Sequence, residues 1–242
     1  MIAVSFALRG TLVRDAPCEE RALGALFARL GAERGLEAVT PARVAAAYAI
    51  VADDLAAGRV SLEAAGIRAL ELLFPGRTER GDGSSFRRLA VEAVERDTTA
   101  LPDARELLER LAELAVPVAI LSNGWFALES ARAAAIGFAG PVLVPPVASW
   151  KPSRNAFAML PELFRLTPER IWHVGCDPIA DIAGARAAGL NAVWVAPDDA
   201  QYPSGLLQPT ERIARVADVI GIIAGPYTAS ALALRRLMLS QY

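Results

Sequence analysis

The chain has 242 residues, of which 54% are hydrophobic, so it is long and apolar enough to bury a substantial core. Its formal net charge is −2 at pH 7 and it has no block of basic residues, which argues against nucleic acid as a partner. We expect no membrane helix, no signal peptide and, with 2 cysteines, no disulfide framework. These features favour a soluble cytoplasmic protein.

Short apolar runs alternate with helical patterns along most of the chain, which is typical of a parallel sheet covered by helices on both faces. Strands are predicted at about 3–8, 116–121, 142–144, 171–174 and 192–195, with a weaker strand near 219–223. Helices are predicted near 103–114, 126–136, 155–165 and 179–188. The pattern therefore predicts an α/β core.

A long helical insertion separates the first predicted strand from the second. Its four helical stretches contain "CEERALGALFARLGAERG", "TPARVAAAYAIVADDLAAG", "SLEAAGIRALELLF" and "SSFRRLAVEAVERD". We therefore predict a helical module over residues 15–99 and a core formed by residues 1–14 and 100–242. The final "PYTASALALRRLMLSQY" is predicted to be one more helix, docked on the core.

Four polar stretches follow four of the predicted strands. They are "SFALRGTLV", "LSNG", "SWKPS" and "HVGCDPIADIAGARAAG", and in an open parallel sheet the edge that they share is where ligands bind. In this order and spacing they resemble the four motifs of the haloacid dehalogenase superfamily, and the insertion resembles its helical cap. The resemblance implies a Rossmann-like, three-layer parallel sheet with an inserted helical cap domain.

The first motif departs from the pattern that the resemblance implies. Members of the superfamily usually read D-x-D-G-T-L there, where the first Asp is the nucleophile and, in phosphatases, the second is the general acid. The corresponding residues are Ala7 and Arg9, whereas Gly10, Thr11 and Leu12 match. Because covalent catalysis without its nucleophile loses several orders of magnitude in rate, we expect neither efficient phosphatase nor dehalogenase activity.

The second and third motifs imply a binding site for an anion. Ser122 matches the residue that contacts phosphoryl oxygens, Asn123 lies beside it, and Lys151 matches the lysine that holds the nucleophile and the phosphate. Lys151 is also the only lysine in the chain. Together with Arg9 and the backbone of Gly10–Thr11, these residues are predicted to bind a phosphate or carboxylate. Alternatively, Ser122 caps the next helix and Lys151 only stabilises the fold.

The fourth motif keeps part of an acidic cluster. The family pattern has an acid directly after the glycine, and here that residue is Cys176, followed by Asp177; Asp181 matches the second acid. Since Mg²⁺ prefers carboxylate oxygens, we expect no metal, although Asp177 and Asp181 remain. We predict that Arg9 pairs with one of them in place of a metal. The alternative is that Lys151 pairs with them.

Three further side chains have a functional and a structural interpretation. Cys176 is a candidate nucleophile if Lys151 and Arg9 favour its thiolate, but a small half-buried residue is the preferred interpretation. A redox pair between Cys18 and Cys176 is the less favoured alternative for the two thiols. The single histidine, His173, is expected to be structural.

These observations leave three functions open. The favoured one is a non-hydrolytic member with an anion-binding pocket and a regulatory or scaffolding role, whose partner is an anionic small molecule or a protein. The second is a metal-independent lyase, cyclase or transferase acting on an anionic small molecule through Arg9, Lys151, Cys176 or Asp177. The third is a weak Mg²⁺-dependent hydrolase. No cofactor is expected, except Mg²⁺ under the third.

Overall fold

The computed structural model describes residues 1–14 and 18–224, and the chain divides into two compact units. Of the described residues, the first unit comprises 1–14, 99–123 and 136–224, and the second comprises 18–98 and 124–135. The helix predicted over 226–242 lies outside the described residues.

The strands and helices alternate along the chain outside one helical stretch, until the last two strands, which follow each other directly. In order they are β1 (Ala3–Phe6), α1 (Cys18–Arg34), α2 (Pro41–Ala56), α3 (Leu62–Leu73), α4 (Asp82–Asp97), α5 (Ala104–Glu113), β2 (Val118–Leu121), α6 (Phe126–Ala135), β3 (Val142–Leu143), α7 (Arg154–Phe164), β4 (Ile171–Gly175), α8 (Gly184–Ala187), β5 (Asn191–Val195), β6 (Glu211–Ile213) and α9 (Val219–Ala224). Within the described residues, no helix has the length and apolarity needed to cross a membrane.

The first unit is built on a six-stranded parallel sheet in the order β3-β2-β1-β4-β5-β6. Strand β1 lies between β2 and β4, and Ser5 is in register with His173 of β4. One core cluster of this unit consists of Ala119, Leu121, Ala156, Phe157, Leu160, Ile171, Ile182, Ala185, Leu190, Ala192, Trp194 and Ala196. The parallel, Rossmann-like α/β fold that the sequence predicts is confirmed.

The position of the last strand in the chain differs from the prediction. The weaker strand predicted near 219–223 is wrong, because those residues form helix α9. The sixth strand is β6, which the apolar pattern of the sequence does not predict. A short apolar run such as "VIGII" fits a buried strand and a short helix equally well, so its periodicity alone does not distinguish them.

The second unit is helical, and its core joins α1–α4 to α6. The N-terminus of α2 is capped by Thr40, whose hydroxyl accepts a hydrogen bond from the Arg43 N–H. Helix α6 was predicted as part of the core module, but it groups with this unit. The reason is a shared apolar core and a buried ion-pair set, in which Arg132 contacts Glu19 (2.9 Å) and Glu129 (2.6 Å).

Candidate functional site

The turn after β1 is a compact, internally bonded loop. The carbonyl of Leu8 accepts hydrogen bonds from the N–H groups of Thr11 (3.3 Å), Leu12 (2.8 Å) and Val13 (3.1 Å), while the Gly10 N–H donates to the Val13 carbonyl (2.9 Å). Gly10 has φ +72°, which only glycine adopts without strain. The amides of Gly10 and Thr11, expected to face an anion, are therefore used within the turn.

Ala7 and Arg9 both follow the end of β1, and their side chains differ in exposure. Ala7 is buried, at 4% exposed, and its N–H donates to the Val174 carbonyl (2.8 Å). Arg9 is exposed, and its carbonyl oxygen lies 3.7 Å from Cys176 Sγ. The loop after β4 packs so closely on the turn that a Cβ atom on Gly10 would lie 2.7 Å from that sulfur.

Asn123 holds the main chain of Lys151. Its Nδ2 donates to the Lys151 carbonyl (2.9 Å), and the Lys151 N–H donates to its Oδ1 (2.8 Å). The hydroxyl of Ser122, which is buried, donates to the Asn123 carbonyl (3.3 Å). The structure thus brings the second and third motifs together, with Asn123 in a positioning role that the sequence analysis did not identify. Its contact with an anion stays a prediction.

Lys151 and Asp181 form a buried ion pair. Lys151 Nζ lies 2.6 Å from Asp181 Oδ1, and the other carboxylate oxygen accepts the N–H groups of Cys176 (3.1 Å) and Asp177 (3.0 Å). Burial acts to raise the pKa of Asp181, but the charges and hydrogen bonds of Lys151 and His173 together outweigh it and hold that pKa well below its usual range. The alternative prediction, that Lys151 pairs with the fourth-motif acids, is confirmed for Asp181.

The predicted pairing of Arg9 with the same acids stays a prediction. Among the described residues, the ion-pair partners of Asp181 are Lys151 and His173. Asp177 instead caps the π-helical segment Pro178–Ala183, since its Oδ1 accepts the N–H groups of Ile179 (2.8 Å) and Ala180 (2.7 Å). Short-range capping fixes Asp177, and Lys151 neutralises Asp181.

His173 extends the ion pair into the sheet. Its Nδ1 lies 2.8 Å from Ser5 Oγ, and its Nε2 lies 3.7 Å from Asp181 Oδ1, which is longer than an ordinary hydrogen bond. Burial lowers the pKa of His173, and nearby Lys151 lowers it further. Ser5 and His173 are fully buried, so this serine–histidine–aspartate line has no access to a substrate and supports the structural interpretation of His173.

Cys176 is half-buried and its thiol is protonated near neutral pH. Burial raises the pKa of this thiol and outweighs the opposing charge of Lys151, so the thiol and not the thiolate is the favoured form. A contact with the buried hydroxyl of Thr11 acts to lower that pKa, but burial outweighs it. Both Cys18 and Cys176 are free thiols.

Comparison with known proteins identifies the family. The sequence signature of the haloacid dehalogenase-like hydrolases matches residues 3–189, which include all four motifs. The chain belongs to this family of hydrolases. Among solved structures, a 2-haloacid dehalogenase from Pseudomonas syringae has a TM-score of 0.68 at 21% identity, over 93% of this chain and 99% of its own. A HAD phosphatase from Thermococcus onnurineus has a TM-score of 0.64 at 18% identity, over 93% and 99%.

Curated relatives with sequence similarity are phosphatases by name. Hexitol phosphatase A of Escherichia coli is 32% identical over 139 residues, 55% of this chain and 64% of the relative. Ribulose-1,5-bisphosphate 5-phosphatase of Halopiger xanaduensis is 34% identical over 137 residues, 54% and 56% respectively. Phosphoserine phosphatase of Thermus thermophilus is 34% identical over 98 residues, 39% of each chain. The chain thus spans less than two thirds of each of these relatives.

Proposed function

We propose that the chain is a non-hydrolytic member of this family that binds an anionic small molecule and has a regulatory or scaffolding role. The observation that carries the proposal is the side chain at the end of β1. Ala7 stands where the family pattern has its nucleophile, and its buried methyl group has no atom that can attack phosphorus or carbon. Arg9 stands where a phosphatase has its general acid.

The carboxylates near this position are a poor match for Mg²⁺. This ion prefers free carboxylate oxygens, but both oxygens of Asp181 and one of Asp177 are already bonded. The ammonium of Lys151 lies directly beside Asp181, and a second cation there is electrostatically unfavourable. In the part of the chain that the structure describes, no three His, Cys, Asp or Glu side chains cluster as metal ligands do. The proposed function therefore uses no metal.

Three side chains are proposed to hold the anion: Arg9, Ser122 and Lys151. Lys151 has three N–H donors, and its described side-chain partner is Asp181, so donors remain for a ligand. Phosphate and carboxylate both provide the acceptor oxygens that these donors require.

The relatives' names favour a second candidate, a weak Mg²⁺-dependent phosphatase. In that case Asp177 or Asp181 would hold the ion, and turnover would depend on it. The altered, metal-independent chemistry through Cys176 has less support, because burial keeps its thiol protonated. A protein partner would be consistent with the scaffolding role.

Calorimetric titration with inorganic phosphate, with and without Mg²⁺, tests the proposal. We expect binding without Mg²⁺ that weakens about tenfold in Arg9→Ala and Lys151→Gln, a loss of about 1.4 kcal/mol. Arg154→Ala removes another exposed arginine of the same unit and should leave binding unchanged. In parallel, p-nitrophenyl phosphate should be hydrolysed no faster than in buffer.

Two outcomes would overturn the proposal. Mg²⁺-dependent turnover that disappears in Asp181→Asn would establish the phosphatase instead. Absence of phosphate and carboxylate binding in a folded protein would remove the anion pocket and direct the search to a protein partner.

A further inference from the structure

A cavity lies within the first unit, next to the turn after β1 and on the side of β5 and β6. It encloses about 490 Å³, within the range of roughly 300–1,000 Å³ that is common for small-molecule sites. Its walls are mainly apolar and include Leu101, Pro102, Trp194, Val195 and Val216. None of these wall residues belongs to the anion pocket proposed above, so a ligand in this cavity does not depend on the proposed anion-binding function.

One cationic side chain lines this cavity. Arg215 Nε (3.0 Å) and Nη2 (2.7 Å) both contact Oδ2 of Asp103, and they are the guanidinium contacts that the structure describes. The arginine side chain is 64% exposed, and a guanidinium carries five N–H donors, so it can take a second carboxylate. Asp103, at φ +65°, is held in a left-handed conformation that non-glycine residues rarely adopt. Strained backbone of this kind is concentrated at functional sites.

The turn after β1 contributes the other polar groups of the cavity. Thr11 and Cys176 both line it. The Cys176 thiol is half-buried and neutral, because burial raises its pKa.

We propose that this cavity binds a small carboxylic acid with an aromatic or other ring-shaped apolar body. The ring would pack on the wall formed by Trp194, Val195 and Val216, which explains the apolar lining. The carboxylate would bond Arg215, which is the only cation among the described residues that line the cavity. An inorganic anion lacks the apolar surface that these walls would bury.

Anilinonaphthalene sulfonate is a suitable probe, because it joins an apolar ring system to one negative charge and fluoresces when it leaves water. The folded chain should bind it at one site. Ala214→Trp fills the cavity from an exposed wall position and should weaken binding at least tenfold, whereas Arg215→Gln should weaken it several-fold. Ala158→Trp adds the same side chain at an exposed position of α7 outside the cavity and should have no effect.

Cys176 gives an independent readout of occupancy. Bound probe should slow the alkylation of Cys176 by iodoacetamide, measured by mass spectrometry of the modified peptide, while buried Cys18 stays unreactive throughout. If Ala214→Trp does not fold, Ala200→Phe fills the same cavity from another wall residue.

Three results would overturn the proposal. They are probe binding that Ala214→Trp or Ala200→Phe leaves intact, equal affinity for the uncharged phenylnaphthylamine, and alkylation of Cys176 that the probe does not slow. Lys151→Gln should weaken phosphate binding about tenfold yet keep probe binding, so failure of the anion pocket and failure of this cavity are distinguishable.

Discussion

Lys151 Nζ lies 2.6 Å from Asp181 Oδ1, and each side chain is only 5% exposed. The pair joins the loop before α7 to the segment after β4, and Asn123 fixes the lysine main chain from the end of β2. Gly175 leaves the room that the Asp181 side chain occupies, since a Cβ atom there would overlap it. The ion pair is therefore part of the framework of the first unit as well as part of the proposed anion pocket.

Removing the lysine charge should destabilise the chain. Lys151→Met leaves the buried Asp181 carboxylate without its cation, so we expect a loss of about 3–5 kcal/mol in the free energy of unfolding. Urea denaturation followed by circular dichroism measures it. Arg88→Met breaks the exposed pair with Glu92 and should cost less than about 1 kcal/mol. Similar losses in the two variants would show that the buried pair has no special role.

Stability should fall when the pH drops through the range in which a free histidine ionises. The pKa of His173 is lowered in the folded chain from its ordinary value of 6.5, so below that pH the unfolded state binds a proton that the folded state does not. The free energy of unfolding should therefore decrease as the pH falls below about 6.5. Urea midpoints across this range measure the effect.

The same effect has a direct spectroscopic test. His173 is the single histidine, so its imidazole proton resonance in NMR is unambiguous, and it should not shift around pH 6.5 in the folded protein. His173→Asn should remove the decrease in stability over this range. At still lower pH, the lowered pKa of Asp181 adds a second loss, because the folded chain keeps its carboxylate ionised while the unfolded chain protonates it below about 3.8.

Gly10 should tolerate no side chain. Gly10→Ala meets both a positive φ of +72° and a Cβ contact of 2.7 Å with Cys176 Sγ, so we expect a loss of about 1–3 kcal/mol in the free energy of unfolding. Gly35→Ala has φ +61° with no atom within 4 Å of its new Cβ, so it isolates the backbone cost. In a double-mutant cycle, adding Cys176→Ala should restore the part of the stability loss by which Gly10→Ala exceeds Gly35→Ala. If Cys176→Ala restores no stability, the strain does not come from the contact with the Cys176 sulfur.

Carboxylates restored at the motif positions should restore hydrolysis. The triple variant Ala7→Asp, Arg9→Asp, Cys176→Asp supplies a nucleophile, a general acid and a metal ligand, and we expect p-nitrophenyl phosphate hydrolysis about a hundredfold above the parent chain, with Mg²⁺ present. The matched triple asparagine variant has nearly the same shape but cannot act and should remain inactive. Equal activity in the parent chain would contradict the proposed function.

The apolar strands of the sheet were predictable because strands buried on both faces are nearly continuous apolar runs. Strand β6 has no such run, since Glu211 and Arg212 are exposed, and it can be found only from its pairing with β5. The membership of α6 in the second unit also depends on contacts distant in sequence, such as Arg132 with Glu19, 113 residues away.

The site residues were predictable as a set, but not their partners. Motif spacing placed Lys151 and Asp181 at one sheet edge, and the structure joins them. Spacing does not distinguish which cation reaches which acid. The burial that protonates the Cys176 thiol and the register that sets Ser5 beside His173 are tertiary properties, and a single sequence does not express them.

The buried lysine has a practical consequence for anyone who modifies this protein. Lys151 carries the only ε-amine of the chain, and in the folded state that amine is enclosed and bonded to Asp181. Amine-reactive dyes and crosslinkers should therefore leave it untouched in the native protein and attach there once the chain opens. Mass-spectrometric detection of label at Lys151 would then count opened molecules directly, without a probe having to be engineered into the chain.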